Sequence, residues 1–235
     1  MKTIVRISLA ALAITVFANT AAAQLPTIPV YTSPAGFQGL MVSGDWGMGM
    51  NDDAKYGTDS PMAFGGGIGY GSGMFNITGL VGYLDPKVDG LNKPISFGGN
   101  IGVTLLKKAD SPLAVNLFGG AAYTSFSEDP GDAIGTSLNV PFGVGIGFSP
   151  PSSGSMSFQI WAAPRGQWTQ FSPEVGDSDS DFGFGASGGV NLNFAQGFGI
   201  HAAIDWSTFS SDVEGGDSTS PMVVGAGLHY NFKMN

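Results

Sequence analysis

From Leu40 the chain alternates. The even positions read Leu40, Val42, Gly44, Trp46, Met48 and Met50, and the odd positions between them read Met41, Ser43, Asp45, Gly47 and Gly49. A period of two is the mark of a strand with one apolar face. The same alternation returns over residues 62–70, 75–83, 95–105, 113–123, 138–148, 156–168, 182–194, 198–206 and 222–232. Strands in soluble sheets average about 5–6 residues, whereas a tilted crossing of a bilayer takes about 9–11. These segments are of the second kind.

The start of the chain says where such a sheet would go. Residues 1–23 open on Lys2 and Arg6, run through an apolar stretch from Ile7 to Phe17 and close on Ala21, Ala22 and Ala23 ahead of Gln24. A basic start, an apolar middle and small residues at the cleavage position describe a secretory signal peptide, and the stretch is too short for the roughly 20 residues of a spanning helix. Residues 24–35, with Pro26, Pro29 and Pro34, read as an extended periplasmic lead-in, and 36–235 as the barrel. Without Lys2 and Arg6 the exported part keeps 7 basic against 18 acidic residues, a net charge of −11. Nucleic acid is excluded as a partner, because binding it needs a basic footprint. The absence of cysteine excludes disulfides, thiolate metal sites and thiol catalysis. With only 11% charged residues, the chain lacks the surface of an ordinary soluble domain, where about a quarter of residues are charged.

Alternation alone would also suit a soluble β-sandwich. The links between segments favour a barrel. Those at 71–73, 107–112, 150–154 and 195–197 are compact; those at 51–60, 85–94, 127–134, 169–180 and 207–221 are longer and acidic. Short turns on one rim and long loops on the other belong to an up-and-down membrane barrel. Aromatic residues fall into two belts, Trp46, Phe64, Tyr83, Tyr123, Trp168, Phe182 and Trp206 toward the long loops, and Phe37, Tyr70, Phe75, Phe148, Phe158, Phe194, Phe198, Tyr230 and Phe232 toward the short turns. The expected fold is all-β, a ten-stranded antiparallel up-and-down transmembrane β-barrel. Eight strands stay open as a count if two segments pair poorly.

Over about residues 37–232 this pattern resembles the small outer-membrane β-barrel proteins of Gram-negative bacteria, the OmpA-type and porin-like group. The segment 222–232, with its near-terminal Phe232, looks like that family's assembly signal, although Lys233, Met234 and Asn235 follow it. The resemblance implies location in the outer membrane. It implies as partners membrane lipid, lipopolysaccharide and, through the C-terminal strand, the barrel assembly machinery.

With the apolar face in lipid, the other face lines the lumen. There Gly65, Gly67, Gly69 and Gly71 stand on one segment, and Gln159, Trp161, Arg165 and Gln167 on the segment expected opposite. Gln159, Trp161 and Gln167 are expected to fill the space the glycines leave. Arg165 lies at a height similar to Asp45 and Asp205, and a guanidinium in a partly wet lumen should pair with one or both, as an ion network or as a constriction. Pro141 and Pro164 each withdraw a ladder donor and come within two positions of each other on adjacent strands, marking either two bulges or a weakened lateral seam. Asp177, Asp179 and Asp181, with Glu174, form an acidic loop that is a weak calcium candidate lacking an EF-hand's glycine and closing glutamate.

Barrel enzymes resembling omptin proteases or lipases need an Asp, His or Ser constellation. His201 and His229 point inward toward the short-turn half, away from the external rim, and His229 reads as a hydrogen-bonded lumen residue. The expected function is therefore non-enzymatic and without a cofactor: a structural, surface-exposed barrel with at most a narrow passage for small solutes. A diffusion porin for small hydrophilic solutes is one alternative, and lipid or hydrophobic-molecule transport through the proline seam is the other.

Overall fold

In the computed structural model ten antiparallel strands close into one barrel: β1 (Gln38–Gly49), β2 (Met62–Ser72), β3 (Phe75–Asp85), β4 (Ile95–Lys107), β5 (Leu113–Ser127), β6 (Ala133–Phe148), β7 (Met156–Pro173), β8 (Asp179–Phe194), β9 (Phe198–Thr208) and β10 (Met222–Phe232). Each strand pairs with its neighbours in sequence. β1 closes on β10 from Leu40↔Phe232 to Gly49↔Val223. Closure leaves no strand edge, as a sheet within hydrocarbon requires, and it removes the eight-stranded alternative. The structure describes residues 25, 28, 36–55, 59–87, 89–107, 111–127, 133–151, 155–209 and 218–232. The signal peptide, most of the lead-in, parts of the acidic links and the three residues after Phe232 lie outside them.

The alternation resolves as an inside-out protein. Ile68, Phe97, Ile101, Phe184 and Leu228 are each more than half exposed on the outer wall, while Asn76, Ser96, Thr124, Asn139 and Thr169 are buried on the inner one. An apolar band around a closed barrel is stable against lipid and not against water. Aromatic pairs sit at both borders of that band: Phe64 stacks on Tyr83 at 5.4 Å near the long-loop rim, and Phe194 on Phe198 at 5.9 Å near the short turns. Phe37 does not join the second belt. It lies inside, against the inner face of β2.

β5 to β8 have 15, 16, 18 and 16 residues, against 11 to 13 in the other strands. The extra length projects at the long-loop end. Its outward positions are Ser125, Thr136, Gln170, Ser172 and Ser180, so the apolar alternation stops where the wall leaves the lipid although the hydrogen-bonded ladder continues. This is why the sequence pattern ends these strands early.

Among the described residues two bulges are present, and neither is at a proline. Leu105 is the unpaired residue between β4 and β5, and Ile134 between β5 and β6, where the bulge turns its side chain into the interior. β6 and β7 keep one register from Gly135↔Pro173 to Phe148↔Ile160, with a gap opposite Pro164; the gap at Pro141 falls on the β5–β6 ladder instead. The expected bulges are thus corrected, and of the expected seam between β6 and β7 the ladder shows the gap opposite Pro164 alone. A proline lacks a donor toward one neighbour only, and these two point at different neighbours, with intact pairs resuming on either side.

Candidate functional site inside the barrel

Arg165 on β7 lies on the inner wall with a fully buried side chain. Its Nη1 and Nη2 donate to Asp205 Oδ1 and Oδ2 on β9 at 2.7 and 2.8 Å, a two-pronged ion pair. Nε donates to Gln167 Oε1 at 3.1 Å, Nη1 to Ser187 Oγ and Nη2 to Ser207 Oγ, both at 2.9 Å. Five N–H donors thus meet five oxygens. Ser187 Oγ also donates to Asp205 Oδ1. The five oxygens stand on β7, β8 and β9, so these bonds run along the wall of the barrel.

Asp45, the other carboxylate expected near Arg165, belongs to a second network. Its Oδ1 meets His201 Nε2 at 2.7 Å, and its Oδ2 accepts from Ser43 Oγ at 2.9 Å. His201 Nδ1 lies 2.8 Å from His229 Nδ1, a contact that needs one proton between the rings, and His229 Nε2 lies 2.7 Å from Asn193 Oδ1. A buried line thus runs from Asp45 on β1 through His201 on β9 and His229 on β10 to Asn193 on β8. His229 is a hydrogen-bonded lumen residue, with Asn193 as its partner and not the nearby Asn231.

One rule of register builds both networks. Arg165 pairs across the ladder with Gly185, His201 with Gly227, His229 with Gly199 and Trp161 with Gly189. Each large side chain lies flat on its paired glycine. A methyl group at Gly185 would stand 3.0 Å from Arg165 Nη2, and one at Gly189 2.5 Å from Trp161 Cζ2. The bare glycine lets the side chain pass to the strand beyond: Arg165 crosses β8 to reach Asp205, and His201 crosses β10 to reach Asp45. Trp161 stops on β8, where Nε1 donates to Asn191 Oδ1 at 3.1 Å. Gly227→Ala, with a methyl 2.5 Å from Asp45 Oδ1 and against His201 Nε2, is therefore expected to destabilise the barrel by about 1–3 kcal/mol. Gly44→Ala, with nothing within 4 Å of the new methyl, is expected to be neutral by comparison. Urea unfolding in lipid vesicles compares the two, and equal midpoints would sink the rule.

The glycines of β2 are filled differently from the sequence expectation. Gln159 is half-buried and bonds Ser149 at 3.0 Å, Trp161 covers β8, and Gln167 holds Arg165; none of the three fills the β2 stripe. A methyl at Gly65 would come 2.7 Å from Ile28 Cδ1, one at Gly82 3.0 Å from Leu25 Cδ1, and one at Gly69 2.7 Å from Phe37 Cζ. The filler is the lead-in. Leu25 and Ile28 are buried at 2% and 5% exposure in a cluster with Ala63, Leu84, Phe126 and Phe171, all at the long-loop end of the lumen. Gly36 and Gly39, with φ of +78° and +92°, then turn the chain into β1 at the short-turn end. The described part of the lead-in is thus in the lumen and not in the periplasm. Its apolar side chains escape water there, which an extended periplasmic segment would not allow.

Asp179 and Asp181 stand two apart on β8, and each Oδ1 accepts the next residue's N–H, Ser180 at 2.9 Å and Phe182 at 2.6 Å. Asp177 precedes the strand. Among the described residues no three His, Cys, Asp or Glu side chains come together as a metal site, so the calcium candidate does not assemble.

No family model matches the chain, and no curated protein is similar to it in sequence. Among solved structures it is similar to the β domain of the Bordetella autotransporter BrkA, with 13% identity, 83% of this chain and 100% of that one covered, and a TM-score of 0.54. The chain has the fold of an outer-membrane β-barrel. The translocator domain of the autotransporter NalP from Neisseria meningitidis (13% identity, coverage 83% and 89%, TM-score 0.44) and the outer membrane protease OmpT from Escherichia coli (12%, 83% and 94%, 0.38) are more distant in shape. The likeness is to outer-membrane barrels in general and does not single out the OmpA-type and porin-like group. At 13% identity it is the fold that is common.

Proposed function

We propose that this outer-membrane barrel is a closed, non-enzymatic surface protein whose lumen is shut by its own N-terminal lead-in, leaving at most a narrow passage for small solutes. The observation that carries the reading is the burial of Leu25 and Ile28 among Ala63, Leu84, Phe126 and Phe171 inside the wall. Arg165 supports it, because its donors are committed to the wall and none is left to select solutes. The absence of enzymatic activity is supported by the bonding of His201 and His229 to Asp45, to Asn193 and to each other, in the half of the lumen away from the external rim. Lipopolysaccharide around the acidic outer rim, and the barrel assembly machinery acting through β10, are the partners proposed with it.

Planar-bilayer recording of the detergent-refolded mature chain tests the reading. Confirmed insertion without stable conductance is expected. Uniform, long-lived steps from the intact chain would overturn it in favour of a diffusion porin for small hydrophilic solutes.

A further inference from the structure

The short-turn half of the lumen holds a chamber of about 150 Å³ beneath the lead-in, lined by Phe37, Met41 and a set of polar side chains. It adjoins a wider mouth of about 740 Å³, and Phe37, Asn193 and Asn231 line both. We propose that this chamber is a binding site for a neutral, hydroxyl-rich solute of one six-membered ring, a monosaccharide in its pyranose form.

Size comes first. A cavity of about 150 Å³ takes a bare six-membered ring, and the open mouth beside it gives room for the hydroxyl groups that a pyranose carries and a route from the short-turn side. Polarity comes next. Seven of the ten described lining residues carry hydrogen-bonding side chains, and several of these have capacity to spare. Asn193 spends its Oδ1 on His229 and Asn191 its Oδ1 on Trp161, which leaves both amide NH2 groups as donors. Gln159 donates through Nε2 to Ser149, which leaves its Oε1 as an acceptor. Asn231 Oδ1 is shielded from solvent and accepts no hydrogen bond in the protein. A buried acceptor without a donor is unfavourable, and a ligand hydroxyl relieves it. Paired donors and acceptors on three strands suit hydroxyls, which do both.

Charge decides the class. Neither Lys, Arg, Asp nor Glu is among the described lining residues, and Asp45 lies behind His201 with both oxygens engaged. The two lining histidines are bonded to Asp45, to Asn193 and to each other, so an ionic solute would lose its hydration with no uncommitted counter-charge to meet it. The ring of Phe37, set against Gly69, supplies an apolar face for the C–H side of a sugar ring.

Saturation-transfer NMR on the detergent-refolded full mature chain tests the site with glucose, galactose and mannose, and with glucuronate and glucosamine as charged counterparts. Transfer to at least one neutral pyranose is expected, about tenfold stronger than to either charged sugar. Asn231→Leu, which removes a side chain that bonds nothing in the protein, should weaken it at least about tenfold while heat-modifiable gel mobility stays unchanged. Phe37→Leu should weaken it without changing the preference for neutral sugars. Absence of transfer to all three neutral sugars, equal transfer to charged ones, or transfer untouched by Asn231→Leu would each overturn the proposal. Binding is read here and current in the bilayer experiment, so the site and the closed lumen can fail separately.

Discussion

Arg165→Ala is expected to destabilise the barrel by about 3–5 kcal/mol, because it leaves the Asp205 carboxylate buried and without a counter-charge. The side chains concerned are 0% and 3% exposed. What remains for Asp205 is the pair of hydroxyls on Ser187 and Ser207, two neutral hydrogen bonds for a full negative charge. Replacing both members, Arg165→Leu with Asp205→Leu, is expected to recover most of the loss, since the cost lies in stranding one ion and not in lacking the pair. Arg165→Lys should fall between, because an ammonium cannot present two parallel donors to one carboxylate. Urea unfolding in vesicles ranks the three. A double variant as unstable as Arg165→Ala would show that the geometry of the pair, and not the unpaired charge, matters. None of the three is expected to open a conducting path, because the guanidinium lies along the wall.

Removal of residues 24–35 is expected to convert a silent barrel into a conducting one. Leu25 and Ile28 are packed in the long-loop half of the lumen, and the glycines opposite them, Gly65 and Gly82, leave open space once they are gone. Stable steps should appear in planar bilayers where the full mature chain gives none. Single truncations act on stability first: Leu25→Ala or Ile28→Ala should each cost about 2–5 kcal/mol, the range for emptying a well-packed interior position. Continued silence of the shortened chain, with insertion confirmed, would place the seal elsewhere, at the Phe126 and Phe171 pair with its 6.2 Å ring spacing.

The strands were legible because the solvent imposes them locally. A wall with lipid on one side and a polar lumen on the other must alternate residue by residue, so Leu40 to Met50 declares itself without knowledge of any partner. The same reason explains the misplaced ends. At Ser125, Gln170 and Ser180 the outer face meets water, the alternation lapses, and only the ladder with the neighbouring strand keeps the backbone extended. Arg165 was legible as an ion needing a counter-ion, since charge and height follow from one strand.

Which carboxylate it meets was not legible. Asp45 and Asp205 stand at similar heights, and the choice rests on register: Gly185 opposite Arg165 opens the way over β8 to Asp205, and Gly227 opposite His201 opens the way over β10 to Asp45. Glycine in a strand has no side chain to signal with, and its meaning lies in the residue it faces on another strand. The sequence alone determined the strands and their inward polar face, because these follow from a period of two against lipid, while the count of ten rests on the closure of β1 on β10. Only the tertiary structure decided what occupies the lumen. Closure of β1 on β10 places Gly36 and Gly39 at the short-turn rim, and the burial of Leu25 and Ile28 is a contact across the barrel that no local pattern encodes.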